Sequence, residues 1–118
     1  MVEVCKVYEE HLDKIIEAKS RLPEDEKILE VSDFFDALGN PTRLKILFAL
    51  MEAGELCTCD LSAITKLSVS AISHQLRILK DRKIVTYRKD GKNVFYRLDD
   101  EHIREILRTA LNHLSEVR

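Results

Sequence analysis

The 118-residue sequence contains no apolar run approaching the roughly 20 residues that cross a bilayer, which argues against a membrane span. It has three cysteines. An odd number cannot pair off completely, so a full disulfide framework is disfavoured and ligand or redox roles gain weight. There is no Cys-x-x-Cys motif, no alternating strand–helix pattern and no Ser/His/Asp arrangement, so no enzyme is expected. Glycine and proline are scarce, at three and two residues. All five serve as punctuation where an element stops or restarts, and no linker, repeat or low-complexity stretch separates domains. The start of the chain, Met1-Val2-Glu3-Val4-Cys5, is not basic, which predicts no signal peptide and a cytoplasmic protein with reduced thiols. An apolar content of 45% and a charged content of 34% suit one soluble globular domain spanning 1–118.

What the chain does have is a segregated charge. Its net charge is only −2. Between Lys66 and Arg97, however, nine basic residues face two acidic ones, Asp81 and Asp90, so this segment carries +7 and the remainder −9. A basic face on an acidic body is the electrostatic footprint of nucleic-acid binding.

The apolar spacing predicts a mainly α chain with a small β-hairpin. An N-terminal arm and helix occupy 1–24, the helix running from about Val7 to Ser20 and ending before Pro23. A second helix starts near Glu24 and stops at Gly39. Asn40-Pro41 then reads as N-cap and first helical position of a third, largely buried helix that ends at Gly54. Two short helices joined by a tight turn at Lys66-Leu67-Ser68-Val69 form a helix-turn-helix over 59–82. Ile84-Val85-Thr86-Tyr87 and Val94-Phe95-Tyr96-Arg97-Leu98 flank Asp90-Gly91, a strong hairpin signal, and form a wing over 83–98. Asp99 or Asp100 caps a last helix, 99–118. Its stripe of Ile103, Ile106, Leu107, Ala110, Leu111 and Leu114 is too wide for a helix facing water, and a symmetry mate is the expected cover.

A helix-turn-helix followed by a basic hairpin is a winged helix, whose second helix enters the major groove of double-stranded DNA. Ser68, Ser70, Ser73, His74, Gln75 and Arg77 cluster toward the start of that helix. Gln75 suits adenine and Arg77 suits guanine or phosphate. Ser70 equally suits an N-cap, and His74 a contact within the domain. Arg88, Lys89 and Lys92 lie on the hairpin arms and tip, where phosphates are reached.

The last helix carries a second chemistry. Asp100 and His102 begin it; His113 and Glu116 end it. Eleven residues turn about 1100°, so the two imidazoles share nearly one face, roughly 16 Å apart along the axis. Zinc–nitrogen bonds are about 2 Å long, so one helix cannot close around one ion. Two antiparallel copies can, with Asp100 and His102 of one chain meeting His113 and Glu116 of the other. This predicts a homodimer with two symmetric metal sites, whose nitrogen and oxygen donors suit Zn²⁺ or Co²⁺. The plain alternative is a solvated charged helix.

Leu67-Ser68-Val69-Ser70-Ala71-Ile72-Ser73-His74-Gln75-Leu76-Arg77-Ile78-Leu79 resembles the recognition helix of the ArsR/SmtB family of metal-responsive repressors. Asp36-Ala37-Leu38-Gly39-Asn40-Pro41-Thr42-Arg43-Leu44-Lys45-Ile46-Leu47 is similar to that family's entry to the winged-helix core. Glu55-Leu56-Cys57-Thr58-Cys59-Asp60-Leu61 resembles the metal box of its thiolate-sensing members, and the quartet on the last helix matches its interfacial zinc site. The resemblance runs from about Val31 onward and is nearest the cadmium/lead/zinc-sensing branch. It implies a dimer built through N- and C-terminal helices that binds operator DNA when metal-free and leaves it on binding metal.

Soft thiolates at Cys57 and Cys59 suit Cd²⁺, Pb²⁺, Zn²⁺ or Cu⁺. Cys5 is the expected third ligand, and the resemblance implies that it comes from the other chain's arm. The branch's second arm cysteine is Glu9 here. The fourth ligand stays open among His11, Asp60, Glu9, water, or none in a three-sulfur site. Ser62 stands where arsenic-sensing members have a further cysteine, which disfavours arsenic. Two alternatives remain: metal sites that are vestigial, and a Cys57/Cys59 thiol redox switch.

Overall fold

The computed structural model describes residues 11–116. The backbone divides into two compact units, one ending at Ser32 and one beginning at Asp33. The first holds α1, Leu12–Arg21, and the start of α2, Asp25–Leu38. Leu22 and Pro23 separate them in extended backbone. Helix α1 buries no residue, and Ile16 and Leu12 are exposed. Helix α2 buries only its final turn, at Ala37 and Leu38.

The second unit continues with α3, Pro41–Ala53. Asn40 caps it as expected, its side-chain oxygen accepting from the Arg43 N–H at 3.0 Å, and Pro41 takes the first helical position, where no donor is needed. Gly54 ends it at φ +89°, and its N–H donates to the Leu50 carbonyl at 2.8 Å. The helix-turn-helix follows as α4, Thr58–Thr65, and α5, Val69–Asp81. Between them Lys66 adopts the left-handed conformation, at φ 64°. The cap of α5 falls on Ser68, not Ser70: its hydroxyl accepts from the Ala71 N–H at 3.0 Å.

The sheet has three antiparallel strands where the sequence suggested a hairpin alone. Strands β2, Val85–Asp90, and β3, Asn93–Leu98, form the wing, with Tyr87 opposite Tyr96. The turn residues are Gly91-Lys92, one step later than Asp90-Gly91, with Gly91 at φ +65°. A two-residue strand β1, Leu56–Cys57, adds to the other edge of β3, pairing Leu56 with Tyr96 and Cys57 with Phe95. Helix α6, Glu101–Glu116, follows, and Asp100 rather than Asp99 caps it: its carboxylate accepts from the Ile103 N–H at 3.2 Å.

Ile46, Leu47 and Leu50 of α3, Leu61 of α4, and Ile72, Leu76 and Leu79 of α5 are fully buried together with Ile84. Each such side chain stabilises the fold by about 1.5–3 kcal/mol. Ile103 and Leu107 join this core from α6. Ile106 packs against its edge, whereas Leu111 and Leu114, further along the helix, are 47% and 63% exposed.

Candidate nucleic-acid interface and metal-ligating residues

Helix α5 is amphipathic. Ile72, Leu76 and Leu79 seat one side in the core. Residues three and four apart share a side, so Ser70, Ser73, His74 and Arg77 group on the other. Ser70, His74 and Arg77 are exposed, and Ser73 is half-buried. Between this face and the wing runs an open cleft of about 440 Å³, lined by Ser73, Arg77, Lys80, Tyr87, Lys89 and Tyr96, among others. Lys80 Nζ stands 5.4 Å from the Tyr87 ring centroid, and the Tyr87 and Tyr96 rings meet at 5.7 Å. Burial pushes the Tyr96 hydroxyl's pKa up, so it remains a protonated donor at neutral pH. Lys89 and Lys92 are exposed on the hairpin. Lys80 and Tyr87 were not singled out from sequence. Lys80 follows Arg77 by three positions, so helical spacing alone could have found it. Tyr87 needed the strand register.

Two expected contacts are engaged inside the protein. Gln75 follows Ile72 by three positions and precedes Leu79 by four, so it lies on the buried side of α5. Its Oε1 accepts from Arg43 Nη1 at 3.1 Å. Arg88 is exposed on β2 but makes a fork on Glu55: Nε and Nη2 each donate at 2.9 Å. Its guanidinium also lies 4.9 Å from the Phe95 ring centroid. The Arg88 hydrogen bond holds the Glu55 carboxyl below its ordinary range, against a smaller opposing effect of burial. That fork ties the wing to the segment that leads into Cys57.

Cys57 is half-buried in β1 and is the residue from which α4 begins; Cys59 is exposed one turn edge later. The Cys57 N–H donates to Asp60 Oδ2 at 3.1 Å. Asp60 therefore already has a capping task, which ligating a metal would disturb. His11 is exposed just before α1. Cys5 and Glu9 lie outside the described residues.

On α6, Asp100 Oδ2 lies 3.4 Å from His102 Nδ1. The Ile103 N–H, then His102, hold the Asp100 carboxyl below its ordinary value, so it is ionised at neutral pH. His102 and His113 line one shallow surface concavity with Glu105, Ile106, Thr109 and Ala110, as the eleven-residue spacing predicts. Glu116 follows in the last turn and is exposed. Among the described residues of one chain, no three His, Cys, Asp or Glu side chains converge on a common point.

Known proteins share this layout. The family profile described as bacterial regulatory protein, arsR family, matches residues 40–87. A cadmium resistance transcriptional regulatory protein CadC homolog of Staphylococcus aureus is 42% identical, over 98% of this chain and 94% of its own length. A transcriptional repressor SmtB homolog of Synechocystis is 41% identical, over 90% of this chain and 80% of its own. The crystal structure of the antimony-specific transcriptional repressor AntR superposes with a TM-score of 0.73 at 35% identity, covering 81% of this chain and 86% of that one.

Proposed function

The chain belongs to the ArsR family of bacterial regulatory proteins, and from that premise we propose that it is a metal-responsive transcriptional repressor. It binds operator DNA as a homodimer when metal-free and is released by Zn²⁺, Cd²⁺ or Pb²⁺. The observation that carries this reading is the coexistence, in one unit, of a basic reading face on α5 and the wing with a histidine–carboxylate face on α6.

Ser70, Ser73, His74 and Arg77 approach base edges, while Lys80, Lys89 and Lys92 neutralise phosphates on either side. Ser68 contributes by fixing the start of α5. Gln75 and Arg88 support the interface through Arg43 and Glu55.

Asp100 and His102 would hold zinc together with the partner's His113 and Glu116. The nitrogen and oxygen donors suit Zn²⁺, and Asp100 either ligates it or orients the His102 ring by bonding Nδ1. Cys57 and Cys59, with Cys5 from the partner's arm, suit softer ions. A bound ion supplies charge and fixed geometry between two chains. What this chain must supply is a dimer face, and α6 has one in its exposed apolar residues. No helix among the described residues is long and apolar enough to cross a membrane, and the reading needs none.

The test is to select duplexes from a random pool with the metal-free protein, then to titrate zinc, cadmium or lead into the complex with the selected DNA. A typical allosteric coupling weakens affinity about 5–150-fold. Affinity unchanged at saturating metal contradicts metal responsiveness, and failure to select any sequence contradicts operator binding.

A further inference from the structure

We infer that Arg43 is a positioning residue for sequence recognition: it fixes the roll of α5 by bonding Gln75 to the end of α2. The inference rests on the repressor reading above and adds a determinant of specificity that does not itself touch DNA.

Arg43 sits in the first turn of α3, oriented by the Asn40 cap that receives its backbone N–H. Its half-buried guanidinium reaches three acceptors. Nε donates to the Ala37 carbonyl at 2.7 Å and Nη2 to the Asp36 carbonyl at 3.3 Å. Both carbonyls belong to the last turn of α2, where helix carbonyls lack partners within the helix. Nη1 donates to Gln75 Oε1 at 3.1 Å. A guanidinium has only donors, so the amide atom facing it must be the oxygen. The amide nitrogen of Gln75 is thereby turned away from Arg43.

This bond does something the core cannot. Ile72, Leu76 and Leu79 hold α5 by apolar contact, which is non-directional and tolerates a small rotation about the helix axis. A hydrogen bond loses strength steeply off line. Arg43 to Gln75 is a directional tie between α3 and the same helix whose opposite side carries Ser70, Ser73, His74 and Arg77. Rotation of α5 would move those side chains relative to base edges while leaving Lys89 and Lys92 on the wing in reach of phosphate. Loss of the tie is therefore expected to cost sequence discrimination rather than general DNA affinity. The other end of the strut is informative too. The α2 turn that Arg43 grips contributes Phe35 and Leu38 to an apolar concavity shared with Leu107 and Leu111 of α6. Arg43 thus connects the end of α2, packed beside α6, to the reading helix.

The experiment compares affinity for the duplex selected by the unmodified protein with affinity for a scrambled duplex of the same composition. Arg43→Lys keeps the charge and loses the fork. Gln75→Leu removes the acceptor at similar size. Gln75→Glu keeps an acceptor facing Arg43. We expect Arg43→Lys and Gln75→Leu each to lower the specific-to-scrambled ratio about tenfold, in line with a hydrogen bond to a charged group, with the loss falling mainly on the specific duplex. The double variant should lose no more than either single one, and Gln75→Glu should retain the ratio. Circular dichroism identifies any variant that fails to fold; if Arg43→Lys does, the two Gln75 variants decide the matter. Equal losses on both duplexes overturn the inference, because Arg43 would then act through general affinity. Additive losses in the double variant overturn it, as does loss of the ratio in Gln75→Glu alone, which would make Gln75 a base reader. If the unmodified protein selects no sequence, the repressor reading fails instead.

Discussion

Arg88 brings a positive charge to the wing and spends its hydrogen bonds on Glu55. A fork between a guanidinium and a carboxylate fixes geometry as well as charge. Stacking on Phe95 restrains it further. The basic count of the wing therefore overstates the charge it can offer DNA, and Lys89 and Lys92 carry more of that task. The pH dependence of this tie has a definite sign. Glu55 is held below its ordinary value chiefly by the Arg88 hydrogen bond. A depressed carboxyl contributes its stabilisation in full above its unfolded value, and loses it as the pH falls through the folded one. The Arg88 Nε–H should therefore remain protected in nuclear magnetic resonance spectra at about pH 5, above the ordinary glutamate value. It should lose protection only in more acidic solution. Loss already at that pH would place the fork outside the solution structure.

Elements were legible where the cue is local. Asn40-Pro41 and Gly54 bracket α3 because a cap, a ring-locked φ and a positive φ act on their own neighbours. Replacing Asn40 with alanine should cost about 1 kcal/mol in urea unfolding, the usual value of an N-cap side chain. A change near zero would mean that the α3 start is satisfied by another group. Ser68 and Ser70 both suit a cap by type, and only the backbone chose Ser68. Strand β1 escaped notice because two residues cannot display a period; Leu56 and Cys57 are strand because Tyr96 and Phe95, some 40 residues away, accept them. The same distance hides the side-chain ties. Gln75 looked like a base reader because its type and neighbourhood fit, yet its position between Ile72 and Leu79 already puts it on the inner side of α5. What no local pattern supplies is its partner, Arg43, 32 residues earlier. The candidate ligands of α6 were easier, because helical spacing alone puts His102 and His113 on one face.

At the scale of the molecule, the unfinished feature is α6. Its first half enters the core through Ile103 and Leu107, and its second half leaves Leu111 47% exposed beside Phe35 and Phe48. An apolar concavity of this kind on a charged chain is a candidate interface. The cover proposed here is a second copy, which also brings the partner's His113 and Glu116 toward Asp100 and His102. Leu111→Glu should shift sedimentation equilibrium from dimer to monomer and abolish zinc binding at the α6 site without unfolding the core. A variant that remains a dimer would move the interface off this helix.

In the proposed mechanism, metal held between two copies of α6 loosens the grip on DNA. The most direct measurement is the affinity of the unmodified protein and of His113→Ala for the same selected duplex, with and without zinc. Both should bind tightly when metal-free, and zinc should weaken binding about 5–150-fold in the unmodified protein only. An equal zinc response in the two proteins, or none in either, would contradict it.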